Sequence, residues 1–250
     1  MAKASAPGRA KTRLVPPLTF DEAAALNTAF LRDVADNVLL AARHPVSTAG
    51  IAAYAAYGPP GSDSFFSRTL PGAVGLIGAW LPNFGDCLFH TIGQILARGH
   101  GSAVVLNSDS PTLPTALLVE TATVLARPGD RAVLGPSNDG GYYLLGLKAE
   151  HRRMFDDIAW STERVAEQTL ERAREIGLEV HCLPVWYDVD DVAGLRRLYS
   201  ELYGDASSRQ SPPHSPHYAA ATAALLSKLW RDSAPDRRAD RALRADEARV

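Results

Sequence analysis

The sequence predicts a three-layer α/β/α sandwich on a mostly parallel sheet, and three observations predict it. Segments of helical and strand-like spacing alternate along the chain as far as about Tyr203, as expected of strands joined by crossover helices. Ala103 to Leu106 is wholly apolar and of strand length, the pattern of a central parallel strand covered on both faces. The 250 residues, 46% hydrophobic and 22% charged, can bury one sizeable core with some chain to spare.

The elements follow in order. Phe20 to Arg43 carries apolar residues at Ala23, Leu26, Phe30, Val34, Val38 and Leu39, a helical spacing that starts after a cap at Thr19 or Asp21. Thr48 to Tyr57 and Ala73 to Ala79 read as strands, broken by Gly58-Pro59-Pro60-Gly61 and Pro82-Asn83. Cys87 to Arg98 is helical, Ala103 to Leu106 the central strand, and Pro114 to Ala126 the next helix. Strands over Arg131 to Gly135 and Tyr142 to Leu147 precede a helix at Glu163 to Ile176, a strand at Leu178 to Leu183 and a helix at Asp191 to Tyr203. A first domain therefore spans residues 1–204. Residues 205–217 form a proline- and serine-rich linker, expected to be mobile. In 218–250, Tyr218 to Trp230 is a helix able to dock on the domain, and the charged residues beyond it are expected to be disordered.

A formal charge of -2 offers no general attraction to nucleic acid or to an anionic membrane. An anionic ligand must be met by a local basic cluster. Cys87 and Cys182 lie far apart, in no metal-ligand spacing, and are expected to be buried reduced thiols. No apolar run approaches the roughly 18 residues of a membrane span, and Met1 to Gly8 lacks the apolar core of a signal peptide. A soluble cytoplasmic protein is expected.

Three clusters carry the chemistry. Asp109, in Asn107-Ser108-Asp109-Ser110-Pro111, directly follows the central strand, where open α/β sheets bind ligands. A carboxylate there can hold Mg²⁺ or Mn²⁺; the less favoured alternative is that Asp109 or Ser110 merely caps the helix near Pro114. A second acidic run, Tyr187-Asp188-Val189-Asp190-Asp191, stands between a strand and a helix; one acid caps the helix and the others are free for an ion. The basic counterpart is Pro7-Gly8-Arg9-Ala10-Lys11-Thr12-Arg13, able to wrap a di- or triphosphate without Walker spacing. Gly135 to Leu147 adds a glycine-rich break at Ser137-Asn138-Asp139-Gly140-Gly141-Tyr142. It reads either as an ordinary hairpin turn or as a carboxylate set beside backbone that a ligand can approach closely.

PGRAKTRL, NSDSPTLP, LGPSNDGGYYLLGL, AWSTERV and YDVDD occur in that order, and the chain over about Ala2 to Leu202 resembles the rSAM/selenodomain-associated transferase family. That family falls in the nucleotide-diphospho-sugar transferase superfamily and is similar to 2-phospholactate guanylyltransferase. The resemblance implies an A-type glycosyltransferase fold with a nucleotide site at the strand ends. It implies Gly8, Arg9, Lys11, Thr12 and Arg13 at the nucleotide phosphates, and Asp109 at the metal with Asp188 or Asp190 completing that site. Ser137, Asp139, Gly140, Gly141 and Tyr142 would face the substrate, with Asp109 and Asp139 as the catalytic pair. Implied ligands are Mg²⁺ or Mn²⁺, a nucleotide or nucleotide-sugar and a small-molecule acceptor.

The chain departs from the family pattern in three places. Only Met1-Ala2-Lys3 precedes the basic loop where the family has an apolar strand, so a truncated first strand is expected. Asn107 stands where an Asp-x-Asp would place its first acid, and Asp191 replaces a threonine. Three functions follow from these residues: glycosyl transfer from a nucleotide-sugar, which ranks first; nucleotidyl transfer to a phosphorylated acceptor with release of pyrophosphate; and nucleotide binding without turnover.

Overall fold

The computed structural model describes residues 1–44, 50–204 and 214–231. Among them are strands β1 (Ala2–Lys3), β2 (Tyr54–Gly58), β3 (Gly75–Gly78), β4 (Ala103–Leu106), β5 (Ala132–Pro136), β6 (Tyr142–Leu147) and β7 (Val180–Cys182). The helices are α1 (Phe20–Ala42), α2 (Asp63–Thr69), α3 (Phe84–Leu96), α4 (Thr115–Ala126), α5 (Val165–Glu175), α6 (Val192–Tyr203) and α7 (Ala220–Arg231). No described helix is long and apolar enough to cross a membrane.

The strands pair in the orders β1-β2-β3 and β4-β6-β5-β7. Pairing is parallel except that β6 runs antiparallel to β4 and β5, so the mostly parallel sheet is present. The hairpin reading of Gly135 to Leu147 is also correct. The two groups of strands meet where the Met1 ammonium donates to the Leu106 carbonyl at 2.6 Å. They do not fuse, because β1 has two residues and reaches only Tyr57 and Gly58 of β2. Beside the rest of β2 and β4 lies a cavity of about 590 Å³, lined by Ala53 to Ala56, Ala103 to Leu106 and, from α1, Leu31 and Val38.

Side-chain alternation sorts the core onto two faces. On β5, Val133 packs with Phe30, Leu117 and Tyr187, whereas Ala132 and Leu134 pack with Ile92, Met154 and Phe155. α1 starts as its sequence predicts: the Thr19 hydroxyl accepts from Glu22 N, and the Glu22 carboxylate accepts from Thr19 N at 2.8 Å. α3 begins three residues before the expected Cys87, since the Asn83 side chain accepts from Gly85 N at 2.8 Å and caps it. α2 was not expected; its anchor is the fully buried Phe66. The expected strand at Thr48 to Tyr57 is shorter, beginning at Tyr54, and residues 48 and 49 lie outside the described residues.

Cys87 is buried, but Cys182 is exposed, contrary to expectation, because β7 is the outermost strand of its sheet. α7 docks on α1, where Asp33 accepts from the Ala221 and Thr222 amides at 2.8 Å each. The expected linker falls mostly outside the described residues, at 205–213, and the expected disordered tail does so at 232–250. His217, at the linker's end, donates its amide to Thr112 O at 3.1 Å.

Candidate functional site

The two acidic runs, far apart in sequence, meet at the end of β4. Val189 N donates to Asp109 O at 2.8 Å, and the Ser110 hydroxyl donates to Tyr187 O at 2.8 Å. Beneath them, Glu201 accepts from the Tyr187 hydroxyl and from the Thr112 hydroxyl, the latter at 2.6 Å. Neither Asp109 nor Ser110 caps α4, whose first turn follows Pro114 with no side-chain cap. Asp191 is the helix cap of its run, accepting from Gly194 N at 2.8 Å. That frees Asp188 and Asp190.

The basic loop closes the site from the other side. Ala10 and Leu14 are buried and anchor it, and Gly8 takes the left-handed backbone with φ 70°. Lys11 also adopts φ 51° and sends its ammonium between the two acidic runs, 2.8 Å from Asp109 Oδ1 and 2.9 Å from Asp190 Oδ1. It donates further to Val189 O at 2.8 Å. Burial pulls the Lys11 pKa down, but Asp109 and Asp190 outweigh it and hold it above its ordinary value. Arg9, Thr12 and Arg13 are exposed, with Arg13 Nη1 4.0 Å from Asp190 Oδ2. Lys11 and Arg13 of the basic loop are therefore neighbours of two of the three expected metal ligands, Asp109 and Asp190.

Asp188 does not share the ammonium. Ser137 Oγ donates to its Oδ1 at 3.5 Å, and burial, then the charges of Asp139, Asp190 and Asp109, push its carboxyl up to about 6. Among the described residues, no three His, Cys, Asp or Glu side chains close into a metal-ligand group. The site instead presents carboxylate and carbonyl oxygens around a cation, a donor set suited to a hard divalent ion.

At the β5–β6 turn the hairpin is present, and it leaves a carboxylate exposed. Asp139 accepts from Gly141 N at 2.9 Å, forming the turn, yet the side chain is exposed near Asp188. Gly140, at φ 87°, accepts from Ala166 N at 2.9 Å, and a Cβ there would lie 2.0 Å from the Glu163 carbonyl oxygen. Only glycine fits. Tyr143 is buried and donates to Pro184 O at 2.9 Å, whereas the Tyr142 hydroxyl is buried without a hydrogen-bond partner.

Tyr142 lines a cavity of about 320 Å³ that also contains Asp109, Asn107, Trp80 and Phe84. Asn107 Oδ1 is, like the Tyr142 hydroxyl, buried and unpartnered, and such groups are normally satisfied by a ligand or water. Trp80 and Phe84 stand half exposed at 52% and 51%, a planar apolar surface beside two polar atoms. Sequence reading missed both aromatics. Their signal was position, just after β3 and at the start of α3. Trp160, of the AWSTERV segment, packs edge-on against Phe84 with ring centroids 5.4 Å apart.

Comparison with known proteins bears on this site. Residues 42–162 match the family model described as "Uncharacterized protein conserved in bacteria (DUF2064)"; the matched stretch contains Asp109 and the β5–β6 turn but neither the basic loop nor the second acidic run. No curated protein matches the chain. Among solved structures, a candidate nucleotide-diphospho-sugar transferase from Desulfovibrio desulfuricans G20 is 28% identical, with a TM-score of 0.75 over 92% of this chain and 93% of that one. The chain has the fold of nucleotide-diphospho-sugar transferases.

Proposed function

We propose that the protein is a metal-dependent transferase that moves a glycosyl group from a nucleotide-sugar to a small-molecule acceptor. The observation that carries this reading is the convergence of Asp109, Asp190 and the basic loop beside the Trp80 and Asn107 cavity, on a fold shared with a candidate nucleotide-diphospho-sugar transferase. The cavity takes the nucleoside, with Trp80 as a stacking surface and Asn107 Oδ1 as acceptor for a ligand hydroxyl or N–H. Arg9, Lys11, Thr12 and Arg13 take the diphosphate. Asp109, Asp190 and the Val189 carbonyl would hold Mg²⁺ or Mn²⁺, which supplies positive charge at the departing diphosphate.

In the transfer step, the acceptor oxygen bonds to the anomeric carbon as the carbon–oxygen bond to phosphate breaks. The bonding electrons leave on the nucleoside diphosphate. Asp139, exposed at the turn tip beside Asp188, stands on the acceptor side and takes the acceptor proton. Arg9 and Arg13 stabilise the charge that develops on the leaving group, the largest contribution in sites of this kind.

One observation favours a second reading. The basic charges at positions 9, 11 and 13 are dense for a diphosphate and suit a triphosphate that loses pyrophosphate, as in nucleotidyl transfer to a phosphorylated acceptor. Product analysis separates the two. Incubation with nucleotide-sugars and Mg²⁺ or Mn²⁺ releases nucleoside diphosphate if glycosyl transfer is correct. Release of pyrophosphate from nucleoside triphosphates, with nucleotide-sugars left intact, overturns it in favour of nucleotidyl transfer. The acceptor, cytoplasmic location and partners follow from the same reading: soluble small molecules, with neither nucleic acid nor membrane engaged.

A further inference from the structure

Lys11 is engaged differently from the other cations of its loop. Its ammonium has three N–H groups, and three oxygens receive them: Asp109 Oδ1 at 2.8 Å, Asp190 Oδ1 at 2.9 Å and Val189 O at 2.8 Å. The Phe30 ring centroid lies 5.4 Å away, and the side chain is 5% exposed. The backbone is held left-handed to deliver it, a conformation that non-glycine residues adopt only at a cost. Arg9, Thr12 and Arg13 remain exposed. The loop thus has arginines open to an incoming phosphate and one lysine already spent on carboxylates.

We propose that Lys11 is the resident cation of the carboxylate seat, and that a divalent ion enters between Asp109 and Asp190 only as an incoming diphosphate draws the ammonium away. The ligand this protein takes is then the metal–nucleotide complex, and the bare protein is a poor metal site. The inference rests on the functional reading above. An ammonium and a divalent ion cannot share the same two oxygens at contact distance without strong like-charge repulsion. A diphosphate offers Lys11 charge-assisted hydrogen bonds of the same kind, which releases the carboxylates.

The test counts free Mn²⁺ by electron paramagnetic resonance in anion-free protein, for wild type, Lys11→Met and Lys11→Gly. Glycine relieves the left-handed backbone, so it reports even where methionine impairs folding. Both variants should bind Mn²⁺ about tenfold tighter than wild type or more, and Asp109→Asn added to Lys11→Met should abolish the gain. Affinity equal to or weaker than wild type overturns the inference. In wild type, the Lys11 ammonium signal of ¹⁵N-labelled protein should ignore Mg²⁺ alone and shift with Mg²⁺ plus ADP or GDP; a shift with Mg²⁺ alone also overturns it. If wild type binds ADP or GDP in a metal-dependent way but the Lys11 variants gain no Mn²⁺ affinity, this inference alone fails. If no nucleotide binds with any metal, the functional reading fails.

Discussion

Replacing Asp188 with asparagine should stabilise the protein at neutral pH and do little in acid. Asp188 is half-buried among Asp139, Asp190 and Asp109, and its carboxyl is raised from 3.8 to about 6. A folded pKa above the unfolded one gives stability that is fully present below pH 3.8 and is lost as pH rises through about 6. Above that window the ionised side chain works against folding. At about 1.4 kcal/mol per pH unit the shift corresponds to about 3 kcal/mol, and solvent screening of a half-exposed group reduces that to about 1.5 kcal/mol. In a domain of this size that is roughly 3–6 °C in Tm. The Asp188→Asn protein should therefore melt a few degrees above wild type at about pH 7.5, and the two curves should converge by about pH 4. Thermal melts by circular dichroism across that range measure it. Equal or lower Tm for the variant at neutral pH would refute the picture of a carboxylate cluster held under repulsion.

Two further perturbations test the frame of the site. Gly140→Ala combines a φ of 87° with a Cβ 2.0 Å from the Glu163 carbonyl oxygen, so Tm should fall by roughly 4–8 °C, equivalent to about 2 kcal/mol or more; an unchanged melt would show that the turn has more room than described. Joining four apolar residues such as Val-Val-Leu-Val to the Met1 nitrogen should let β1 run between β2 and β4 and fill the cavity of about 590 Å³. Each Val or Leu side chain taken out of water contributes about 1.5–3 kcal/mol, so even two of the four seated there raise Tm by roughly 6 °C or more. The same extension removes the buried Met1 ammonium, whose pKa burial lowers from 8.0 to about 6, and with it the loss of stability as pH falls between those values. A four-residue Asp and Lys extension is the control, and an apolar extension that leaves Tm unchanged contradicts the assignment of the cavity as a strand position.

Much of this was legible in the sequence, for reasons that differ from place to place. The apolar run Ala103 to Leu106 announced a strand, and Asp109 followed as a strand-end residue, but the expected central parallel place was wrong: β4 stands at the end of its four-stranded order and pairs antiparallel with β6, which a run of four apolar residues does not reveal. Thr19 and Glu22 announced the start of α1 because a capping box is a local code. Asp188 and Asp190 were legible as acidic neighbours of a helix, and the family resemblance implied a site shared with Asp109; the contact that joins the two runs, Val189 N to Asp109 O, was not legible, since only the fold brings residues so far apart together. The same holds for Lys11: its charge was visible, and its seat between two carboxylates was a tertiary fact. α2 escaped notice because its seven residues follow a Pro-Gly break and its helical signal reduces to the single anchor Phe66. Cys182 was misread because cysteine count and spacing say nothing of which strand lies outermost. Trp80 and Phe84 went unnoticed because nothing local distinguishes an exposed aromatic from a buried one, and only their exposure beside Asn107 singles them out.

The central claim is that Asp109 and the basic loop form one metal-dependent nucleotide site. Isothermal titration with nucleoside diphosphates, triphosphates and nucleotide-sugars, in Mg²⁺ or Mn²⁺ and then in chelator, tests it directly on wild type and Asp109→Asn. The account predicts nucleotide binding by wild type that weakens by at least about tenfold in chelator, and an Asp109→Asn protein that folds normally but no longer responds to metal. Nucleotide affinity in wild type that is indifferent to both metals, or unaltered metal dependence in Asp109→Asn, would contradict it.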